Sequence, residues 1–288
     1  MKKQLSAWIQ ASRLLSQSFI FFPILLGQAA WVSQGGSITW WAFVLIQLFG
    51  LFDQLYIVYA NDYADYRDDR LNTAPTIFSG GSRVLVDNLL KPVQLNTAAI
   101  IMIVLCITTG ILFTLLYRYY YMIPLMASGI LLLWMYSYRP FKLSYRGGGE
   151  LLQTAGTGFG LPLLGYYAQS GNLSSFPWIL LLIILPTSLS CAIATALPDR
   201  PADVHYSKRT FPVLVGLSRA KITIFILNIM SIVAAFVIIH PLNSRFLDYS
   251  IRLLHVGAFV GLIIFRKALP GTPKITAFVS MAVITTLS

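Results

Sequence analysis

The 48 residues from 151 to 198 contain no Asp, Glu, Lys or Arg, and a second charge-free stretch of 39 covers residues 14–52. Nothing constrains the fold of this chain more. Shorter charge-free runs cover 92–117, 119–138 and 222–244. A helix crossing the hydrocarbon of a bilayer needs about 20 mostly apolar residues, so each of the two longest stretches holds two spans. They divide at 33–39 and 169–176, where Gly, Ser, Asn and Gln collect. The pattern predicts an all-α integral membrane protein with nine helices, near 14–32, 39–60, 95–117, 119–137, 151–168, 177–197, 221–240, 246–265 and 273–288. The last is short, because only 14 uncharged residues close the chain. The whole of 1–288 reads as one polytopic domain.

Composition agrees. Charged residues make up 11% of the 288 positions, against roughly 25% in an ordinary soluble domain. Hydrophobic residues make up 57%, and the mean hydropathy is +0.71. Too little polar surface is available for a soluble enzyme. The net charge of +11 suggests nucleic acid only until the charges are located. With alternating loops, 18 Lys and Arg fall on one side of the bilayer and only Arg118, Arg245 and Arg252 on the other. By the positive-inside rule that basic side, with the N-terminus, is cytoplasmic, as in a bacterial-type inner membrane. Cys106 and Cys191 lie inside apolar runs and read as small core residues.

Eight of the ten acids share the basic side: Asp62, Asp65, Asp68, Asp69, Asp87, Glu150, Asp199 and Asp203. The positive-inside bias does not require this. A faint repeat places them. Pro23-Ile-Leu-Leu-Gly27 resembles Pro162-Leu-Leu-Gly165, and Asp62 and Asp199 follow those prolines by 39 and 37 residues. The repeat predicts two halves, about 14–137 and 151–265, followed by the short last helix. Each half would close its second helix with acids, and such halves would bring the two acid sets face to face.

The first set is Asn61-Asp62-Tyr63-Ala64-Asp65-Tyr66-Arg67-Asp68-Asp69. On a helix, Asp62, Asp65 and Asp69 share one face. Like charges so placed repel, and a membrane edge adds desolvation. A divalent cation removes both penalties, and Mg²⁺ fits because it combines one or two carboxylates with phosphate oxygens and water. A solvated acidic loop is the plainer alternative. The second set is Asp199-Arg200-Pro201-Ala202-Asp203, in which Asp199 also suits the cap of a short helix with Pro201 in its first turn.

Cations flank both sets. Arg67 and Arg70 follow the first acids. Ser79-Gly80-Gly81-Ser82-Arg83 then forms a turn whose backbone N–H groups can face phosphate. Lys142 lies in Tyr138-Arg139-Pro140-Phe141-Lys142-Leu143-Ser144-Tyr145-Arg146, and Lys208-Arg209-Thr210 follows the second acids. Acids for a metal and bases for oxyanions, fed by apolar helices, describe a site for a lipid diphosphate. An allylic prenyl diphosphate ionises when charge on its leaving group is taken up, and aromatic faces steady the cation that forms. Tyr138 is among several tyrosines close to these acids. Asp53, two turns deeper in the second helix, is an intramembrane acid that either meets an acceptor or pairs with a neighbouring helix.

Asn61-Asp62-x-x-Asp65-x-x-x-Asp69 with Asp199-x-x-x-Asp203 resembles the paired aspartate motifs of UbiA-type intramembrane prenyltransferases. The resemblance covers essentially the whole chain. It implies a UbiA-like nine-helix bundle, with the two motifs at the cytoplasmic ends of helices 2 and 6. It also implies Mg²⁺-dependent transfer of a polyprenyl chain to an aromatic acceptor. By position, Asn61, Asp62, Asp65 and Asp69 would hold one Mg²⁺, and Asp199 and Asp203 a second. Arg67, Lys142 and Lys208 would contact diphosphate, with Arg70, Arg83 and Arg209 behind them and Tyr138 and Tyr145 lining the substrate site. Three stretches are most similar to the MenA branch, which prenylates 1,4-dihydroxy-2-naphthoate in menaquinone synthesis. These are Ser79-Gly-Gly-Ser-Arg83, Pro140-x-x-Leu143-x-Tyr145-x-Gly147-x-Gly149-Glu150 and Lys208-Arg209-Thr210. The chain departs from the family pattern where Pro198 and Pro201 bracket Asp199, and where Ser207 stands in place of a common Gly. Other acceptors, 4-hydroxybenzoate or homogentisate, are the rivals within the family. Outside it, a transporter for an anionic solute would place its binding residues at mid-membrane, where only Asp53 lies.

Overall fold

The computed structural model describes residues 2–70, 72, 75–238 and 245–287. The side chains of Lys2, Arg67, Asp68, residues 245–251 and Leu287 fall outside the described set. The described chain is helical: α1 (Lys2–Ala11), α2 (Ser18–Ser33), α3 (Trp40–Ala64), α4 (Tyr66–Asp69), α5 (Pro92–Tyr117), α6 (Met122–Ser137), α7 (Leu143–Arg146) and α8 (Gly149–Thr154). There follow α9 (Leu161–Ser170), α10 (Leu181–Ala196), α11 (Arg200–His205), α12 (Phe211–Val215), α13 (Leu217–Ile238), α14 (Arg245–Ile264) and α15 (Pro273–Leu287).

Among the described residues, five helical segments are long and apolar enough to cross a membrane: Lys3–Ser33, Trp40–Ala64, Pro92–Tyr117, Trp178–Ala196 and Leu217–Ile238. They mark an integral membrane protein. The segments expected near 119–137, 246–265 and 273–288 hold the shorter apolar helices Met122–Ser137, Arg252–Ile264 and Pro273–Thr286. The helix expected near 151–168 is interrupted. Between α8 and α9 the chain makes a π-helical turn over Ala155–Gly160. Its sequence, Ala-Gly-Thr-Gly-Phe-Gly, carries three glycines, each weakening regular α-helix by about 1 kcal/mol relative to Ala.

The chain forms two compact units. The first comprises Met1–Leu71, Gly81–Lys142 and Phe159–Pro177; the second comprises Asn72–Gly80, Leu143–Gly158 and Trp178–Ser288. Within the first unit α9 packs on α2. The repeated glycines explain the pairing. A Cβ on Gly27 would overlap the Pro162 carbonyl oxygen, and a Cβ on Gly165 would overlap the Ile24 carbonyl oxygen. The two Pro–Gly motifs therefore meet at a helix crossing closed by small residues, the usual way membrane helices approach.

In the first unit α3 packs against α5, and Ile24, Ile46, Phe49, Phe113 and Leu164 share one core. A second core joins α1 to α3 and to residues 84–90 through Ala7, Ala11, Tyr59, Val84 and Leu95. In the second unit α10 packs on α13 and α15, around Ile193, Ile224, Leu262 and Phe278.

Candidate active site

In the first unit the acids gather where α3 ends. The helix stops at Ala64 and Asp65 occupies its C-cap with φ −95° and ψ 4°. The backbone nevertheless keeps helical bonding through the bend, Asp65 N–H to Asn61 O at 2.8 Å and Asp69 N–H to Asp65 O at 2.9 Å. Asp62 is 4% exposed and Asp65 9% exposed, which excludes a freely solvated acidic loop. Asn61 Oδ1 accepts from Ser137 Oγ at 3.2 Å, and Tyr138 Oη donates to Ala60 O at 3.1 Å. Burial pushes the Tyr138 phenol up, with Tyr63 and Asp65 adding to the effect.

The Gly-Gly turn closes over these acids. Gly80 and Gly81 have φ of 78° and 66°, and Arg83 follows with 67°. A Cβ on Gly81 would collide with Asp69 Oδ2 and lie 3.1 Å from Asp62 Oδ1, so only glycine lets the turn come this close. The Ser82 N–H donates to Asp62 Oδ2 at 3.0 Å. This turn N–H therefore meets a carboxylate, where the sequence suggested phosphate. Arg83 Nη1 donates to Asp69 O at 2.9 Å, and its Nη2 lies 3.9 Å from Asp87.

Arg13, one of the 18 Lys and Arg counted on the basic side, has its Nη1 3.9 Å from Asp62 Oδ1. Its backbone is left-handed, φ 45° and ψ 60°. Asp62 Oδ1 is buried and accepts no hydrogen bond from the described residues. A buried carboxylate oxygen left this way is costly, and Asp69 Oδ2 faces the same Gly81 gap. All these donors are oxygens. The arrangement fits a hard divalent cation such as Mg²⁺.

In the second unit α11 begins after Asp199, with Pro201 in its first turn. The bracketing prolines leave that short helix intact. Asp199 stands at the N-cap position, yet its side chain makes no cap bond. Its Oδ1 accepts instead from Asn72 Nδ2 at 2.8 Å. Asp203 is 5% exposed; Thr210 Oγ1 donates to its Oδ2 at 3.1 Å, and Lys208 Nζ lies 3.9 Å from its Oδ1. Lys208 Nζ also sits over the Tyr145 ring, 4.5 Å from its centroid. The Arg209 N–H donates to Tyr145 O at 3.0 Å, and the Phe211 N–H to Glu150 Oε1 at 2.6 Å. Burial pushes the Glu150 carboxyl up, and that N–H partly offsets it. Ser207 adopts φ 55°, the conformation a glycine would favour.

The structure thus brings together Asn61, Asp62, Asp65, Asp69, Tyr138 and Arg83 in one unit, and Asp199, Asp203, Lys208, Tyr145 and the Arg209 backbone in the other. Lys142 ends the first unit in a left-handed turn, φ 45°, with its N–H on Tyr138 O at 2.8 Å. Arg70 is exposed, 5.9 Å from the Tyr66 ring centroid. The Arg67 side chain lies outside the described residues. Among the described residues no three His, Cys, Asp or Glu side chains converge on one point as a preformed metal set. Asp53 is buried, with Oδ1 accepting no bond from the described residues, and Gly129 of α6 faces it. Sequence reasoning missed Arg13 and Asn72, and gave Gly81, Ser82 and Glu150 no individual role.

The family model of the UbiA prenyltransferase family matches residues 20–282. The chain belongs to the UbiA prenyltransferase family. It is therefore a prenyltransferase. Solved UbiA structures share its fold. A UbiA homologue from Archaeoglobus fulgidus, bound to GPP and Mg²⁺, aligns over 97% of this chain and 96% of its own at 15% identity, with a TM-score of 0.69. An apo UbiA homologue from Aeropyrum pernix aligns over 92% and 94% at 14% identity, with a TM-score of 0.71. No curated protein matches the chain.

Proposed function

We propose that this UbiA-family enzyme transfers a polyprenyl group from an allylic prenyl diphosphate to 1,4-dihydroxy-2-naphthoate, the aromatic precursor of menaquinone. One observation carries the choice of acceptor. Two of the three stretches that resemble the naphthoate branch, 140–150 and 208–210, are knit together beside Asp203 through Tyr145, Arg209 and Lys208. The third, 79–83, is bonded to Asp62 through Ser82.

In this reading Asn61, Asp62, Asp65 and Asp69 hold one Mg²⁺, and Asp199 and Asp203 a second. Bound there, Mg²⁺ supplies charge neutralisation for the departing diphosphate. The A. fulgidus homologue bound to GPP and Mg²⁺ supports this assignment. Arg67, Lys142 and Lys208 contact diphosphate oxygens, with Arg70, Arg83 and Arg209 behind them. Arg13 adds a cation beside Asp62. Tyr138, anchored through its hydroxyl on Ala60 O, presents its ring to the allylic cation. Tyr145 seats Lys208. The C–O bond breaks with its electron pair leaving on diphosphate. The electron-rich ring then attacks the allylic carbon and loses a proton or its carboxyl group, while apolar helices exclude water. If the bundle has nine spans, the 18-to-3 split of Lys and Arg puts the acids on the cytoplasmic side.

Purified protein supplied with a prenyl diphosphate, Mg²⁺ and a panel of aromatic acids tests this by mass spectrometry. Prenylated naphthoate product is expected. Product only with 4-hydroxybenzoate or homogentisate would overturn the acceptor, and no product with any acid would overturn the reading.

A further inference from the structure

Helix α1 was not expected from the sequence, and it does not belong to the first span. The apolar segment Lys3–Ser33 has 31 residues, about 46 Å of continuous helix against a hydrocarbon thickness of about 30 Å. Arg13 breaks it with a left-handed residue, and a short helical turn at Leu14–Gln17 leads into α2. Residues 14–33 suffice for the crossing, so α1 is an additional element held at the membrane edge by connectivity.

Its faces are distinct. Ala7 and Ala11 are buried and Trp8 meets the Tyr59 ring edge-on at 5.8 Å. Leu5 and Ile9, one turn apart, are 64% and 50% exposed, and the exposed apolar run resumes at Leu14 and Leu15. Lys2 and Lys3 head the helix with no acid anywhere in residues 1–52. A basic, amphipathic helix of this kind lies in the bilayer interface, with cations toward anionic headgroups.

The buried side of α1 reaches the first acid set. Gln10 Nε2 donates to Ser82 O at 2.8 Å, while the N–H of the same residue holds Asp62 Oδ2 at 3.0 Å. Arg13, directly after α1, lies 3.9 Å from Asp62 Oδ1. We infer that α1 is a surface anchor that docks Leu5, Ile9 and Lys3 onto an anionic bilayer and thereby braces the Ser82–Asp62 contact. The docking rests on α1 alone; only its consequence for catalysis rests on the proposed function.

Full-length protein with Leu5→Cys carrying a spin label, in liposomes with and without phosphatidylglycerol, tests the docking. Cys106 and Cys191 are buried. Labels at depth, favouring collision with oxygen over aqueous nickel chelate and more so with the anionic lipid, are expected. A label equally exposed to water in both liposomes, or dipolar broadening that places two α1 copies together, would overturn it. The bracing is read by hydrogen exchange of residues 79–90 in the anionic liposomes. Leu5→Ser/Ile9→Ser, and separately Lys3→Glu, should speed exchange there about tenfold while sparing α5. Unchanged exchange in both variants would overturn the bracing. Neither readout uses activity, so failure of the proposed reaction leaves both decisive.

Discussion

Asp62 is constrained from several sides. It is buried, one oxygen takes the Ser82 N–H, the other faces Arg13, and Gly81 leaves room beside it. Neutralising it in Asp62→Asn should lower transfer by about 100-fold or more while leaving the fold intact by circular dichroism. Asp203→Asn should do the same in the second unit. Gly81→Ala is a separate test, because its methyl group would displace Asp69 Oδ2. It should raise the Mg²⁺ concentration needed for half-maximal activity, and an unchanged Mg²⁺ dependence would show that the gap is not a metal cradle. At Ser207 the argument concerns stability alone. Its φ of 55° costs about 1–2 kcal/mol for an L-residue. Ser207→Gly should leave the melting temperature unchanged or raise it slightly, whereas Ser207→Val should lower it.

These residues also show what the sequence made legible. The aspartates are legible because two acid sets, five carboxylates in all, follow apolar runs at matching spacings, which a loop or a cap explains singly but not together. Ser207 stood out as a departure from a common glycine, and its left-handed backbone gives the reason. Arg13 did not stand out, because one arginine before an apolar run has the same sequence signature as a topological anchor. Asn72 bonds Asp199 across 127 residues of sequence, a contact no local pattern encodes.

At the scale of elements, apolar run length located most helices, while two features escaped it. The π-helical turn at Ala155–Gly160 is charge-free, so it looked like uninterrupted span. Helix α1 is only 10 residues with mixed faces, too short for apolar run length to mark. The α2–α9 crossing is half visible in the sequence: the Pro–Gly repeat is there, but only the structure shows that its two copies touch. Gly27→Ala and Gly165→Ala each put a methyl group into a backbone carbonyl of the other helix. Each should destabilise the first unit by about 1–3 kcal/mol, read as a lower melting temperature in detergent. Gly257→Ala meets no neighbouring atom within 4 Å, at a backbone outside the left-handed region, and serves as the control for crowding.

For the whole molecule, charge placement explains more than charge amount. In the proposed topology the excess of +11 orients the protein, and the acids within the basic side are the proposed site of its chemistry. Two units each carry buried carboxylate, cation and tyrosine within a few residues of a helix end. In the proposed function both acid sets bind Mg²⁺ that neutralises prenyl diphosphate. Isothermal titration calorimetry with a thiolo analogue of the prenyl diphosphate, which resists ionisation, tests this most directly. Binding is predicted with Mg²⁺, absent in EDTA, and lost in both Asp62→Asn and Asp203→Asn. Full-affinity binding in EDTA, or in either variant, would contradict it.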